Sequence, residues 1–219
     1  MDRPVEPQER ILVAAEQLFA ERGISSVSLR EIGAAAGHRN NSAVQYHFGT
    51  KEGLVRALYE YRLAPLNRRR LDLLAELESA GLLDDMRRLV EAYVRPLAEA
   101  VSSRDGTSYY ARFVSRFQHD DELAALDLDP SVVSGIRRVI ELLDRQLVSL
   151  PADVRRLRLM QCSLLVPSVL ADYERRRTQS PDTLPSPELV TTCLVDACCA
   201  LLTSSLSDET RALVAETTQ

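Results

Sequence analysis

The strongest constraint on this chain lies in its first fifty residues, where glycines end apolar helical stripes at short intervals. Ile11, Leu12, Ala15, Leu18 and Phe19 recur at helical spacing over 8–22, and Gly23 follows as a C-terminal cap. Ser28-Leu29-Arg30-Glu31 is a capping box: the Ser hydroxyl serves the amide three residues on, and Glu31 reaches back. It opens a helix running to Ala36 that Gly37 ends. A polar stretch from His38 to Ser42 leads into a one-and-a-half-turn helix from Ser42 to Phe48, closed by Gly49. Thr50 caps the next helix, which begins with Lys51 and Glu52. Three short helices joined by tight turns make a helix-turn-helix architecture, with Leu18, Phe19, Leu29, Ile32, Val44 and Phe48 packing them together.

Beyond Pro65, which is expected to kink or split its helix, a different kind of chain begins. Helical stripes are predicted over 82–103, 107–118 and 131–149. Pro151 starts a helix to about Arg177 with a kink at Pro167. A Ser/Thr/Pro linker at 178–186 precedes a helix from Ser186 to about Leu206, and Ser207 caps a short final one. Period-2 alternation is nearly missing, so the chain is predicted all-α with nine or ten helices. The division is into 1–62 and 63–219.

Charge follows the same division. Residues 1–70 hold 11 Lys+Arg against 8 Asp+Glu, whereas the remainder holds 16 against 24. A mildly basic part and an acidic part imply different partners. No apolar run approaches the ~18 residues of a transmembrane span, and the N-terminus has no signal-like apolar core, so a cytoplasmic protein with no membrane partner is expected. Cys162, Cys193, Cys198 and Cys199 lack CxxC spacing and sit among apolar residues, which reads as buried packing and neither a metal site nor a redox motif. The cluster His119-Asp120-Asp121-Glu122 reads as an exposed helix end, since adjacent residues cannot all face one ion. GxSxG, P-loop, GxGxxG and HExxH are absent, so no catalytic residue, cofactor or metal is assigned.

The exposed side of the third helix carries Asn40, Asn41, Ser42, Gln45, Tyr46 and His47. Asn and Gln pair bidentately with adenine, and Ser contacts base or phosphate. Lys51 adds a charge and a helix N-terminus for a phosphate. His47 serves packing or phosphate equally well, and Arg68-Arg69-Arg70 reads as a solvated helix face in preference to a DNA contact.

Arg10-Ile-Leu-x-Ala-Ala-x-x-Leu-Phe19-Ala-Glu-Arg-Gly23, Ser28-Leu-Arg-Glu-Ile32 with Ala36-Gly37, and Tyr46-His47-Phe48-Gly49-Thr50-Lys51-Glu52-x-Leu54 together resemble the N-terminal domain of TetR-family transcriptional regulators. The resemblance covers about 8–60. Between Gly37 and Phe48 the chain holds one residue more than the usual spacing, and Gln45 stands where relatives carry a phosphate-binding Tyr. Which of Arg39, Asn40 and Asn41 reads a base stays open. The resemblance implies DNA contacts from Ser28, Arg30, Arg39, Asn40, Asn41, Ser42, Ala43, Gln45, Tyr46, His47 and Lys51. It further implies a homodimer on a palindromic operator, repressing transcription until a small molecule binds the C-terminal part. Activation, or a helical small-molecule-binding protein or enzyme without operator binding, are the alternatives.

The helices near 152–177 and 187–206 are apolar over more than one face, which suggests pairing with a second subunit as a four-helix bundle. Met86, Tyr93, Tyr109, Tyr110, Phe113, Phe117, Met160 and Leu164 are the expected lining of a largely apolar effector pocket, although any single aromatic at helical spacing is more often a core residue. The carboxylate excess slightly favours a neutral or cationic effector, weakened by Arg112 and Arg116 nearby.

Overall fold

The computed structural model describes residues 6–38, 43–102, 108–117, 128–179 and 183–217. Among them are ten helices and no strand, as an all-α chain requires. They are α1 (Pro7–Arg22), α2 (Leu29–Ala35), α3 (Ala43–Phe48), α4 (Lys51–Ser79), α5 (Met86–Ser102), α6 (Tyr110–Phe117), α7 (Ser134–Gln146), α8 (Ala152–Gln179), α9 (Pro187–Thr203) and α10 (Asp208–Thr217).

Local chemistry sets the N-terminal helices. Gly23 and Gly49, which follow α1 and α3, have φ of 88° and 71°, values that a Cβ would strain. At the start of α2 the Ser28 hydroxyl accepts from the Glu31 amide at 3.3 Å, while the Ser28 amide donates to the Glu31 carboxylate at 2.9 Å. The Thr50 hydroxyl accepts from the Gly53 amide at 3.1 Å and starts α4. Ile11, Ala15, Phe19, Ile32, Val44, Leu54 and Leu58 are fully buried where α1 to α3 close on the first half of α4. Leu18, Leu29 and Phe48 pack against this core from its edge.

Pro65 does not divide its helix: α4 runs unbroken through it for 29 residues. A proline inside a helix costs about 3 kcal/mol through a lost hydrogen bond and a crowded carbonyl. Burial of Leu63 and Leu66 on either side opposes that cost. Position 62/63 therefore falls inside a continuous helix and not in a linker.

The second half of α4 joins α5 to α9 in a bundle with α5 at its centre, in contact with α4, α6, α7, α8 and α9. Asn67 in α4 binds the entry to α7: its side-chain amide donates to the Val132 carbonyl and its oxygen accepts from the Ile136 amide at 2.8 Å. The approach is so close that a Cβ on Gly135 would stand 2.7 Å from the Asn67 carbonyl oxygen, which only glycine allows. Arg158 ends α9 by donating to the Leu202 and Ser204 carbonyls, both at 2.7 Å.

The short helix α6 is held from both sides. Glu16 of α1 accepts from the Tyr109 amide at 3.1 Å and pairs with Arg62 of α4. Glu174 of α8 accepts from the Ala111 and Arg112 amides at 3.3 and 3.1 Å and pairs with the Arg112 guanidinium. Both carboxylates are buried, and burial holds the Glu174 carboxyl above its ordinary value against those hydrogen bonds. Phe113 seats the helix on α1, its ring stacked on Phe19 with centroids 6.3 Å apart.

Two tests follow from this packing. Phe113→Ala is expected to cost about 3–5 kcal/mol in chemical denaturation, since the ring is fully buried among aromatic neighbours. Contacts to Ser28 and Arg22 push the Glu31 carboxyl down to about 2. A lowered folded-state value means the box stabilises fully above the unfolded value near 4.5 and loses this as pH falls toward 2. Melting curves across that window are expected to fall less steeply for Glu31→Gln.

Candidate functional site

The outer end of the N-terminal helices presents a polar surface. Val44 is fully buried and fixes the roll of α3, which leaves Gln45 and Tyr46 on the opposite side. Tyr46 is 86% exposed, with its ring edge-on to His47 at 5.2 Å. His47 is half-buried, and its Nδ1 meets the Gln8 amide at 3.3 Å, which ties α3 to the start of α1. Ala43 is half-buried at the head of α3. Arg30 is exposed on α2. Ser28 is exposed, but its hydroxyl donates to Glu31 at 2.7 Å and serves the cap. The Lys51 ammonium donates to the Ser25 carbonyl at 3.1 Å, beside the start of α4. Arg39, Asn40, Asn41 and Ser42 lie outside the described residues, as does the His119–Glu122 cluster.

A second site lies inside the bundle. A cavity of about 90 Å³ is bordered by Tyr59, Leu63, Leu66 and Arg70 of α4, Tyr93 and Leu97 of α5, and Tyr110 and Val114 of α6, with Ile136, Ser163, Val166 and Pro167 closing it. Tyr59 and Tyr93 keep accessible surface because they face this space. Burial raises the phenol pKa of Tyr59, Tyr93 and Tyr110 above the ordinary value, so all three stay neutral donors at neutral pH. Arg70 is 5% exposed, and burial lowers its pKa while the three tyrosines oppose that.

The residues expected to line an effector pocket do not all meet at this cavity. Met160 and Leu164 are 48% and 36% exposed and do not border the cavity. Cys162, Val166 and Leu170 form the inward row of α8, and a step of two residues is ~200° around a helix, which turns 160 and 164 outward. Phe113 and Phe117 are spent on core contacts with Phe19 and Tyr59. Tyr109 lies under the Arg112 guanidinium at 4.5 Å, outside the cavity, and Met86 packs at the edge of the core. Of the eight expected lining residues, Tyr93 and Tyr110 face the space.

Arg68-Arg69-Arg70 is not one solvated face. Arg68 is exposed and Arg69 reaches Glu99 at 3.5 Å, but Arg70 turns inward. The signal was the spacing Leu63, Leu66, Asn67, Arg70, Leu74, one buried helical row with an arginine in it. Tyr59 also escaped sequence reasoning, because it lies three residues beyond Arg56 in a segment read as the end of the N-terminal part. The cavity's one charged lining group is a cation, opposite to the sign inferred from net charge. Net charge counts exposed carboxylates, whereas a buried group senses its immediate wall.

The outward side of α8 and α9 leaves Leu157, Met160, Leu164 and Leu189 exposed, with Cys193 beside them. Cys162, Val166, Leu170, Leu194, Val195, Cys198 and Leu202 are spent inside the chain's own core. Among the described residues no single helix is long and apolar enough to cross a membrane.

Residues 11–58 match the model of the bacterial regulatory proteins of the tetR family. The HTH-type transcriptional repressor Rv3405c of Mycobacterium tuberculosis is 38% identical over 91 residues, covering 42% of this chain and 44% of the relative. The chain thus spans less than half the length of the curated relatives it matches, and those relatives are named as HTH-type transcriptional regulators or repressors. A TetR family transcription regulator of Marinobacter aquaeolei shares the fold with a TM-score of 0.57 at 17% identity, over 87% of this chain and 94% of that one. SmeT, the repressor of a multidrug efflux pump of Stenotrophomonas maltophilia, does so at 0.53 and 19% identity, over 88% of each chain. The N-terminal segment of the chain is thus similar to the tetR family of bacterial regulatory proteins, and its helical fold is shared with solved regulators described under that family name.

Proposed function

We propose that the protein is a ligand-responsive transcriptional repressor that binds a palindromic operator as a homodimer in the cytoplasm. The observation that carries this reading is the outward face of α3, with Gln45 and the 86%-exposed Tyr46 beside the Lys51 end of α4, inside the segment that matches the family. Gln45 and Tyr46, with Asn40, Asn41 and Ser42 ahead of them, read the major groove by hydrogen bonds. Lys51 and the amides of helix N-termini position the duplex through its phosphates. With little net positive charge, the domain relies on such neutral donors for much of its affinity.

The second copy covers the exposed row Leu157, Met160, Leu164 and Leu189, and α8 and α9 of each chain pair as a four-helix bundle. Such a dimer carries two α3 helices, which meet successive major grooves when about 34–36 Å apart. The effector occupies the interior cavity. Its occupancy reaches DNA through α6, which lends Tyr110 and Val114 to the cavity and presses Phe113 and Arg116 on α1. Arg116 donates to the Ala20 carbonyl at 3.1 Å, so a shift of α6 moves α1 and the helices packed on it. The ligand weakens operator binding only to the extent that it prefers the DNA-incompetent spacing.

Selection of bound sequences from a random DNA pool tests the reading, and recovery of no enriched palindrome overturns it. Tyr46→Ala and Asn41→Ala are each expected to weaken operator binding by about 1–3 kcal/mol with the melting temperature kept. Lys51→Ala is expected to weaken binding to all sequences and flatten the salt dependence. In sedimentation, wild type is expected as a dimer at micromolar concentration, and Leu157→Arg combined with Leu189→Arg as a folded monomer. A monomeric wild type removes the dimer.

A further inference from the structure

A cation buried in a protein interior is normally paired with a carboxylate, because removing a charge from water is costly without compensation. Arg70 departs from this. Among the described residues no ion pair reaches it, and its one hydrogen bond, to Asn67 Oδ1 at 3.4 Å, is long. The Asn67 oxygen is already bound to the Ile136 amide at 2.8 Å. The Arg70 Nε is buried and has no acceptor. A guanidinium stays protonated even when burial lowers its pKa. The titratable groups facing it are three phenols, all neutral, and they stand around the same cavity.

We propose that this cavity takes an organic acid, with the ligand's carboxylate accepting from Arg70 and the hydroxyls of Tyr59, Tyr93 and Tyr110 orienting it. The proposal rests on the ligand-responsive reading above and specifies the chemical class of the effector. A carboxylate supplies what Arg70 lacks: a negative charge and paired acceptor oxygens matched to the guanidinium fork. About 90 Å³ holds that head group, roughly the room of three waters. The body of the ligand has an apolar direction to follow. A second void of only about 10 Å³ lies across Tyr93, lined by Val90, Leu143, Leu159, Cys162 and Leu202 among others, and marks that direction without itself holding a ring. Tyr93 borders both spaces. Ile136 borders the cavity, and Ile140 and Leu159 border the smaller void, while all three also line an open groove between α7 and α8. The ligand is therefore a compact acid with an apolar or aromatic body, bound head-first toward α4.

The experiment uses the full-length protein and paired probes of equal shape: benzoate with benzamide, and phenylacetate with phenylacetamide. Thermal unfolding and calorimetric titration at millimolar probe concentration are expected to show stabilisation by the acids and little by the amides. Arg70→Met is expected to melt at or above the wild-type temperature, since it removes an uncompensated buried charge at similar volume. It is expected to lose the preference for acids by about tenfold or more, and Arg70→Lys to keep part of it. Acids and amides that stabilise wild type equally, or no response to either acid, overturn the proposal. So does an Arg70→Met or Arg70→Lys protein that binds the acids as wild type does. Operator binding measured with the same probes separates the two readings. Arg70-dependent acid binding that leaves DNA affinity unchanged keeps the site and rejects ligand response. Release of DNA by the amides as effectively as by the acids keeps ligand response and rejects the acid.

Discussion

Two buried carboxylates from distant parts of the chain meet the same short helix, and the rest of the structure depends on that arrangement. Glu16 comes from α1 and Glu174 from α8, and both accept backbone amides at the start of α6. The first amides of a helix have no partner within it, and inside a protein they cannot turn to water. Negative charge there is also favoured by the helix dipole. Each carboxylate in turn meets an arginine, Arg62 or Arg112, so no member of the set is buried without a partner of opposite charge. Deleting either carboxylate strands amides and a cation together. The helix that touches both the N-terminal helices and the cavity is thereby held in one place by polar bonds with two alternative owners.

The long helix α4 supplies the other connection. Its first turn carries Lys51 and its middle carries Asn67 and Arg70. At 1.5 Å per residue the distance from Lys51 to Arg70 along the axis is ~28 Å. A single unbroken helix transmits a displacement over that length better than two helices with a flexible joint would. Pro65 sits within this span and removes one backbone hydrogen bond without breaking it. Asn67 holds α4 to α7, and Arg70 faces the cavity three residues later. Cavity, α6 and α4 therefore form one packed unit whose outer end is α3.

Burial inverts the electrostatics of the interior relative to the surface. The chain carries a formal net charge of −5, yet the charged group in the cavity wall is a guanidinium. Among the described residues many acidic side chains sit in exposed pairs, such as Glu188 with Arg95 and Asp208 with Arg211, where water screens them. Composition reports the far field of a protein, and a ligand inside it feels the near one.

The local punctuation of the N-terminal domain was legible in the residues themselves. A capping box, glycines with positive φ and apolar residues at helical spacing act within a few residues of chain, so the sequence alone determined α1 to α3 and the roll that turns Tyr46 outward. Ser186 at the start of α9 was legible for the same reason. What required the tertiary structure was the use of each face. Met160 and Cys162 are two residues apart and both apolar, yet one faces outward and the other the core, because helices apolar on several sides carry no mark of which side is inward. Arg70 looked like part of a solvated run until α5 and α6 closed over it. Continuity of α4 through Pro65 likewise depended on packing that outweighs a local cost. Short-range hydrogen bonding and periodicity belong to the chain; the sign of a buried charge and the inward face of an all-apolar helix belong to the neighbours that folding brings to it.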